Sequence, residues 1–275
     1  MSSENQLPES FGSFDSFESF DGTVIGYRQV GSGEPVVMVQ PSGGGLHSWQ
    51  PVAEQLGGRF EVWTPARRAY APSGPSRRSP KRYADEVADL EALIAKIGRP
   101  VHLAGMSYGA TVALHAAAAG LPVRSLVLWE PPLYAAGEEL TPVMGEFEVL
   151  AADGERRKID RLLAEKVARV PGALLDLLDA GEPADDEPDE VPGWRHDLES
   201  MAADTADIDR WSAATIPTLL MGGADTWEPM PATLDRLAAA LPDVTFTSFP
   251  DQMHFAPSLV PEAVAAEIAR FLARV

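Results

Sequence analysis

The stretch PVHLAGMSYGATVALHAAAAG (100–120) decides the fold. Its first part, PVHLAGM (100–106), is an unbroken apolar run of strand length. Its last part, YGATVALHAAAAG (108–120), is a run of small residues at helix length, closed by glycine. Between them stands Ser107, the centre of Gly105-Met106-Ser107-Tyr108-Gly109, a G-x-S-x-G pattern. A serine on a sharp strand-to-helix turn is held in a strained conformation with its hydroxyl exposed. The helix N-terminus behind it favours developing negative charge, and flanking glycines relieve clashes with neighbouring chain. Ser107 is therefore the candidate nucleophile.

Working outward, strands and helices alternate. EPVVMVQ (34–40), FEVWTPA (60–66) and VRSLVLWE (123–130) read as buried strands. HSWQPVAEQLGG (47–58) and RYADEVADLEALIAKIG (82–98) read as helices ending in glycine. Residues 16–30 alternate around glycine turns and suggest a β-hairpin. This rhythm implies βαβ units and a parallel sheet. It breaks after Pro131, where residues 135–210 are mostly helical with an acidic interruption, DAGEPADDEPDEVPG (179–193). It resumes with TLLMGGAD (218–225), ATLDRLAAALP (232–242), VTFTSFPD (244–251) and PEAVAAEIARFLARV (261–275). The expected organisation is a poorly ordered arm over 1–15, an α/β core over 16–134 and 211–275, and a helical cap over 135–210. Such a cap would cover the C-terminal strand edge, where open α/β sheets bind ligands.

Composition narrows the function. The chain of 275 residues is 45% hydrophobic and 23% charged, ordinary for a globular domain. A net charge of -19 argues against nucleic acid and polyanionic substrates. The absence of cysteine excludes disulfides, thiolate metal sites and a cysteine nucleophile, and fits a cytoplasmic location. No secretion signal is expected from the first twenty residues, and no membrane span is expected. Gln40-Pro-Ser-Gly-Gly-Gly45 lacks the Gly-Lys-Ser/Thr ending of a phosphate cradle. No cofactor or metal is expected, and the oligomeric state is left open.

A serine hydroxyl needs a base, and the base an orienting carboxylate. His254, in SFPDQMHFAP after the last strand, is placed to reach the sheet's C-terminal edge. His196 falls in the helical segment, His102 in a strand and His115 on a helix, while His47 borders the glycine-rich loop. Two carboxylates compete for the acid. Asp225, ending TLLMGGAD, is favoured; Glu130, ending VRSLVLWE, is the alternative.

On the residues GMSYG (105–109), GGAD (222–225), QMHF (252–255) and ARRAYAPSG (66–74), the chain resembles the cap-bearing branch of the α/β-hydrolase superfamily over about residues 20–275. The last stretch looks like a degraded D-x-R-G-x-G-x-S loop. The resemblance implies an α/β fold with a mostly parallel eight-stranded sheet flanked by helices, a helical cap after strand six, and ester hydrolysis. Where the family usually has His-Gly after the third strand, this chain has Gln40-Pro41, and proline has no N–H to donate. The expected oxyanion hole is then the backbone N–H of Ser42 or Gly43 with that of Tyr108. The strand-ending glutamate, the missing His-Gly and the glycine-rich loop also partly resemble fungal zearalenone lactonases, whose acid lies on the Glu130-type strand.

The expected substrate is a neutral, fairly apolar ester or lactone, with Trp129, Tyr134, Trp227 and Met253 as candidate wall residues. Two other classes stay open: a lyase or cyclase using the Ser-His pair as acid and base, and a ligand-binding protein without catalysis.

Overall fold

The computed structural model describes residues 14–178 and 189–275. Eight strands form one sheet: β1 (Asp15–Glu18), β2 (Val24–Gly31), β3 (Glu34–Val39), β4 (Phe60–Pro65), β5 (Val101–Met106), β6 (Val123–Trp129), β7 (Thr218–Gly223) and β8 (Val244–Phe249). Their order is β1-β2-β4-β3-β5-β6-β7-β8. β1 and β2 pair antiparallel, as does β2 with β4, and the remaining pairs are parallel. The hairpin and mostly parallel sheet expected from the sequence are both present. The expected helix 47–58 is shorter: a 3-10 turn at Gly45–His47 precedes α1 (Gln50–Leu56).

The central strands are buried on both faces, with alternation hidden inside apolar runs. Val37, Val39, Leu103, Leu126, Leu128 and Leu220 pack with α2 (Tyr83–Ile97), α3 (Tyr108–Ala118) and α8 (Met230–Ala240). Val36, Met38, Ala104, Val127, Leu219 and Met221 face the other way, with α1 and α10 (Pro261–Leu272). Each fully buried aliphatic side chain contributes roughly 1.5–3 kcal/mol.

Between β6 and β7 the chain runs through α4 (Thr141–Ala152), α5 (Arg156–Leu162), a single π turn (Leu163–Val167), α6 (Gly172–Leu178) and α7 (Val191–Ala202). This insert has its own apolar cluster of Phe147, Ile159, Leu162, Trp194 and Leu198, which closes on Tyr70 of the core. Most of the arm expected over 1–15 lies outside the described residues, and Asp15 already belongs to β1. Residues 179–188 of the acidic stretch also lie outside them, while residues 191–193 start α7.

After β4, the ARRAYAPSG loop turns sharply at Ala69, whose φ is 65. In the D-x-R-G-x-G-x-S pattern that position is glycine. An L-residue there costs about 1–2 kcal/mol in backbone sterics, partly offset by alanine's smaller chain entropy. Ala69→Gly should therefore raise Tm by about 1–3 °C in a thermal melt. An unchanged or lower Tm would show that the turn carries no such strain.

Candidate active site

The strand order reverses between β3 and β5, where the chain departs to either side of β3. A crevice at the C-terminal ends of such strands is the usual ligand position in open α/β sheets. Ser107 stands there, between the end of β5 and the start of α3, with φ 53 and ψ -123. Two hydrogen bonds hold the turn: Ser107 N–H donates to Trp129 O at 2.8 Å, and Ala110 N–H donates to Ser107 O at 2.9 Å. Gly105 and Gly109 make the close approach possible. A Cβ on Gly105 would lie 2.3 Å from Gly109 O, and one on Gly109 would lie 2.4 Å from Val39 O. α3 therefore starts directly against the end of β3.

His254 lies in the loop between β8 and α9 (Ala256–Leu259). Its Nδ1 is 2.6 Å from Glu130 Oε2, and its backbone carbonyl accepts from Trp129 Nε1 at 2.9 Å. Glu130 follows β6 and is fully buried, with φ 43. A buried carboxylate must have its lone pairs filled. Gly223 N–H donates to Oε1 at 2.7 Å and Thr226 Oγ1 donates to Oε2 at 3.1 Å. With both acceptors so arranged, His254 Nδ1–H is the donor and Nε2 is left free of that proton.

The preference for Asp225 is thus corrected. Its side chain is exposed, and what connects it to the histidine loop is its backbone N–H, donating to Gln252 O at 2.9 Å. The carboxylate facing His254 comes from the end of β6, one strand before the strand that Asp225 follows. The glycine pair before Asp225 has another use. A Cβ on Gly223 would lie 2.3 Å from Gln252 O, and one on Gly222 would lie 3.1 Å from Glu130 Oε1. Both positions leave room for the Glu130 carboxylate and for the histidine loop.

Among the expected wall residues, Trp129 is also corrected. It is fully buried and packs on Phe249 at 5.4 Å, so it positions His254 from below and offers no surface to a ligand. Trp227 is partly buried, with its ring 5.9 Å from the His254 ring. Trp227 Nε1 and Tyr134 OH both donate to one insert carbonyl, Ala168 O, at 2.8 and 3.1 Å. Met253 is partly buried beside His254. Phe255, edge-on to His254 at 5.7 Å, joins these residues. The remaining histidines are engaged elsewhere: His47 with Gln50, His102 with Ser125, His115 with Asp204 and His196 with Glu199.

Ser42 and Gly43 follow β3 in the run where Gly43, Gly44 and Gly45 all have positive φ. Ser42 Oγ donates to Asp197 Oδ2 at 2.7 Å. Tyr108 is the first residue of α3, so its N–H has no intrahelical acceptor. Its side chain is buried, with the hydroxyl donating to Glu86 Oε2 at 2.7 Å.

Behind this loop lies a buried group of charges that sequence reasoning missed. Arg67 forks onto Asp197, with both contacts at 2.7 Å, and reaches Glu86 at 2.8 Å. Lys81 Nζ sits 3.0 Å from Glu86 and 3.3 Å from Asp197. Burial alone would raise the pKa of Asp197, but Arg67 and Lys81 outweigh it and hold the carboxyl at about 2. Glu86 is likewise held below the ordinary range against its burial by Lys81 and Arg67. The arginine pair in ARRAY was the only local signal, and its partners lie far along the chain.

The chain belongs to the alpha/beta hydrolase family, whose model matches residues 36–267. It is similar over its whole core to an alpha/beta hydrolase from Sphaerobacter thermophilus: 28% identity, TM-score 0.81, covering 94% of this chain and 100% of that one. A thermophilic esterase from Thermogutta terrifontis superposes at TM-score 0.75 with 20% identity, covering 96% and 99%. An enol-lactonase from Burkholderia xenovorans does so at 0.73 with 18% identity, covering 94% and 100%. Among the described residues no helix is long and apolar enough to cross a membrane.

The charge cluster makes acid stability predictable. Asp197 is ionised more readily when folded than its ordinary value of 3.8 allows, so its contribution is complete above pH 4 and is lost as pH falls towards 2. That contribution is on the order of 2 kcal/mol. Thermal melts should be nearly flat from pH 7 to 5 and fall steeply from about pH 4 to 2.5. Asp197→Asn should start lower and fall less. A wild-type Tm that holds down to pH 2.5 would contradict the assignment.

Proposed function

We propose that this protein is a serine hydrolase that cleaves a carboxylic ester or lactone of a neutral, fairly apolar small molecule. The observation that carries this reading is the 2.6 Å contact between His254 Nδ1 and buried Glu130, set beside a serine in a strained strand-to-helix turn on the adjoining strand. A buried carboxylate holds the imidazole in one tautomer and stabilises the imidazolium that forms during catalysis.

In the proposed reaction His254 takes the proton of Ser107 as Oγ attacks the substrate carbonyl. The backbone N–H of Ser42 or Gly43, with that of Tyr108, holds the oxyanion. His254 returns the proton to the leaving alkoxide, giving an acyl-enzyme. Water, deprotonated by the same histidine, then releases the acid and restores Ser107. With a lactone the leaving alcohol stays part of the acyl chain, so the second step releases a single hydroxy acid.

Trp227, Phe255 and Met253 around His254 favour an apolar substrate. The insert, tied to the core through Ala168 O and Asp197, serves as the cap over the site. The acid position on β6 is the one that the lactonase resemblance implies, which adds support for a lactone.

Hydrolysis of short-chain p-nitrophenyl esters tests this reading. Ser107→Ala should lose about 10⁴ or more in kcat. Glu130→Gln should lose about 10³–10⁴, because the imidazole then favours the wrong tautomer. Asp225→Asn should stay within about threefold, as expected for an exposed group away from the imidazole. A larger loss in Asp225→Asn than in Glu130→Gln would overturn the acid assignment. Wild type no faster than Ser107→Ala would overturn hydrolysis and favour a lyase or cyclase.

A further inference from the structure

The two halves of the proposed oxyanion hole lie on different segments, the loop after β3 and the start of α3. Both lead into the same buried charge cluster. On the loop side, Ser42 Oγ donates to Asp197 Oδ2 at 2.7 Å. On the helix side, Tyr108 OH donates to Glu86 Oε2 at 2.7 Å. Arg67 bridges the two carboxylates, and Lys81 bridges them a second time. Arg67 also reaches the loop directly: Nη2 donates to Pro41 O at 2.9 Å and its backbone N–H to Gln40 Oε1 at 3.3 Å. Tyr70 OH adds a third hydroxyl to the system at 2.6 Å from Asp197 Oδ2.

We propose that the Arg67, Lys81, Glu86 and Asp197 cluster is the positioning device of the oxyanion hole, fixing Ser42 through Asp197 and Tyr108 through Glu86. This inference rests on the hydrolase reading and deepens it. Oxyanion stabilisation works through donors set in place before charge develops. The loop that carries Ser42 runs into three consecutive glycines, a segment with little stiffness of its own. The cluster supplies stiffness from outside, since any member that turns away leaves the other three with an uncompensated buried charge. Its two cations and two anions balance, so it acts on the hole through geometry rather than through a net field.

Asp197 belongs to α7 of the insert, whereas Arg67, Lys81 and Glu86 belong to the core. The docked insert therefore completes the cluster that aligns the catalytic donors. The insert is a working part of the site as well as its cover.

The test uses variants that delete only a hydroxyl and keep all four charges and both backbone N–H groups. Ser42→Ala and Tyr108→Phe should each lower kcat for p-nitrophenyl butyrate about tenfold, a fraction of the loss on removing a donor outright. KM should stay within about threefold, with Tm within a few degrees of wild type, and Ser42→Thr should restore kcat. Asp197→Asn, if folded, should lower kcat further. Full kcat in both hydroxyl variants, with Ser107-dependent turnover intact in wild type, overturns this inference alone. A loss confined to KM or to Tm also overturns it. Wild type without Ser107-dependent turnover overturns the hydrolase reading and this inference together.

Discussion

Glu130 leaves β6 in a backbone conformation that side chains rarely adopt, and carries its carboxylate into a fully buried position. Such a group is tolerated only where donors converge on it. Gly223 N–H, Thr226 Oγ1 and His254 Nδ1–H supply them. This requirement organises the right-hand half of the site. It explains why β7 ends in two glycines, and why the loop after β8 folds back across them. It also explains why Trp129, one residue earlier, spends its indole N–H on the carbonyl of His254.

The left-hand half obeys a similar rule with full charges. Arg67 and Lys81 are buried beside Glu86 and Asp197, and hydroxyls from Ser42, Tyr70 and Tyr108 fill the remaining acceptor positions. Removing one member leaves a charge uncompensated, a far larger cost than losing a surface ion pair. Ser107 lies between the two halves. Its turn is tied by backbone to Trp129 on one side, and Gly109 lies against Val39 on the other.

The fold and the turn that carries Ser107 were legible in the sequence because both are local. Apolar runs of strand length, glycine-closed helices and the glycine-flanked Ser107 each occupy one short segment. The position of His254, in the loop after the last strand, was legible too. Which carboxylate meets His254 was not, because Glu130 and Asp225 both end strands at the same edge, and only the side-chain direction separates them. Gly222-Gly223 was the available signal, as the space into which a carboxylate from β6 fits. Trp129 was misread through its nearness to Glu130. Strand alternation puts it with Val127, on the face packed by α1 and α10. The charge cluster was invisible because residues 67, 81, 86 and 197 are joined by the fold alone.

The most direct measurement of the central claim is peptide mapping by mass spectrometry after treatment with a fluorophosphonate. A single adduct on the peptide containing Ser107, formed much more slowly in Glu130→Gln and at the wild-type rate in Asp225→Asn, is the predicted result. No adduct, or an adduct on another residue, would contradict the account.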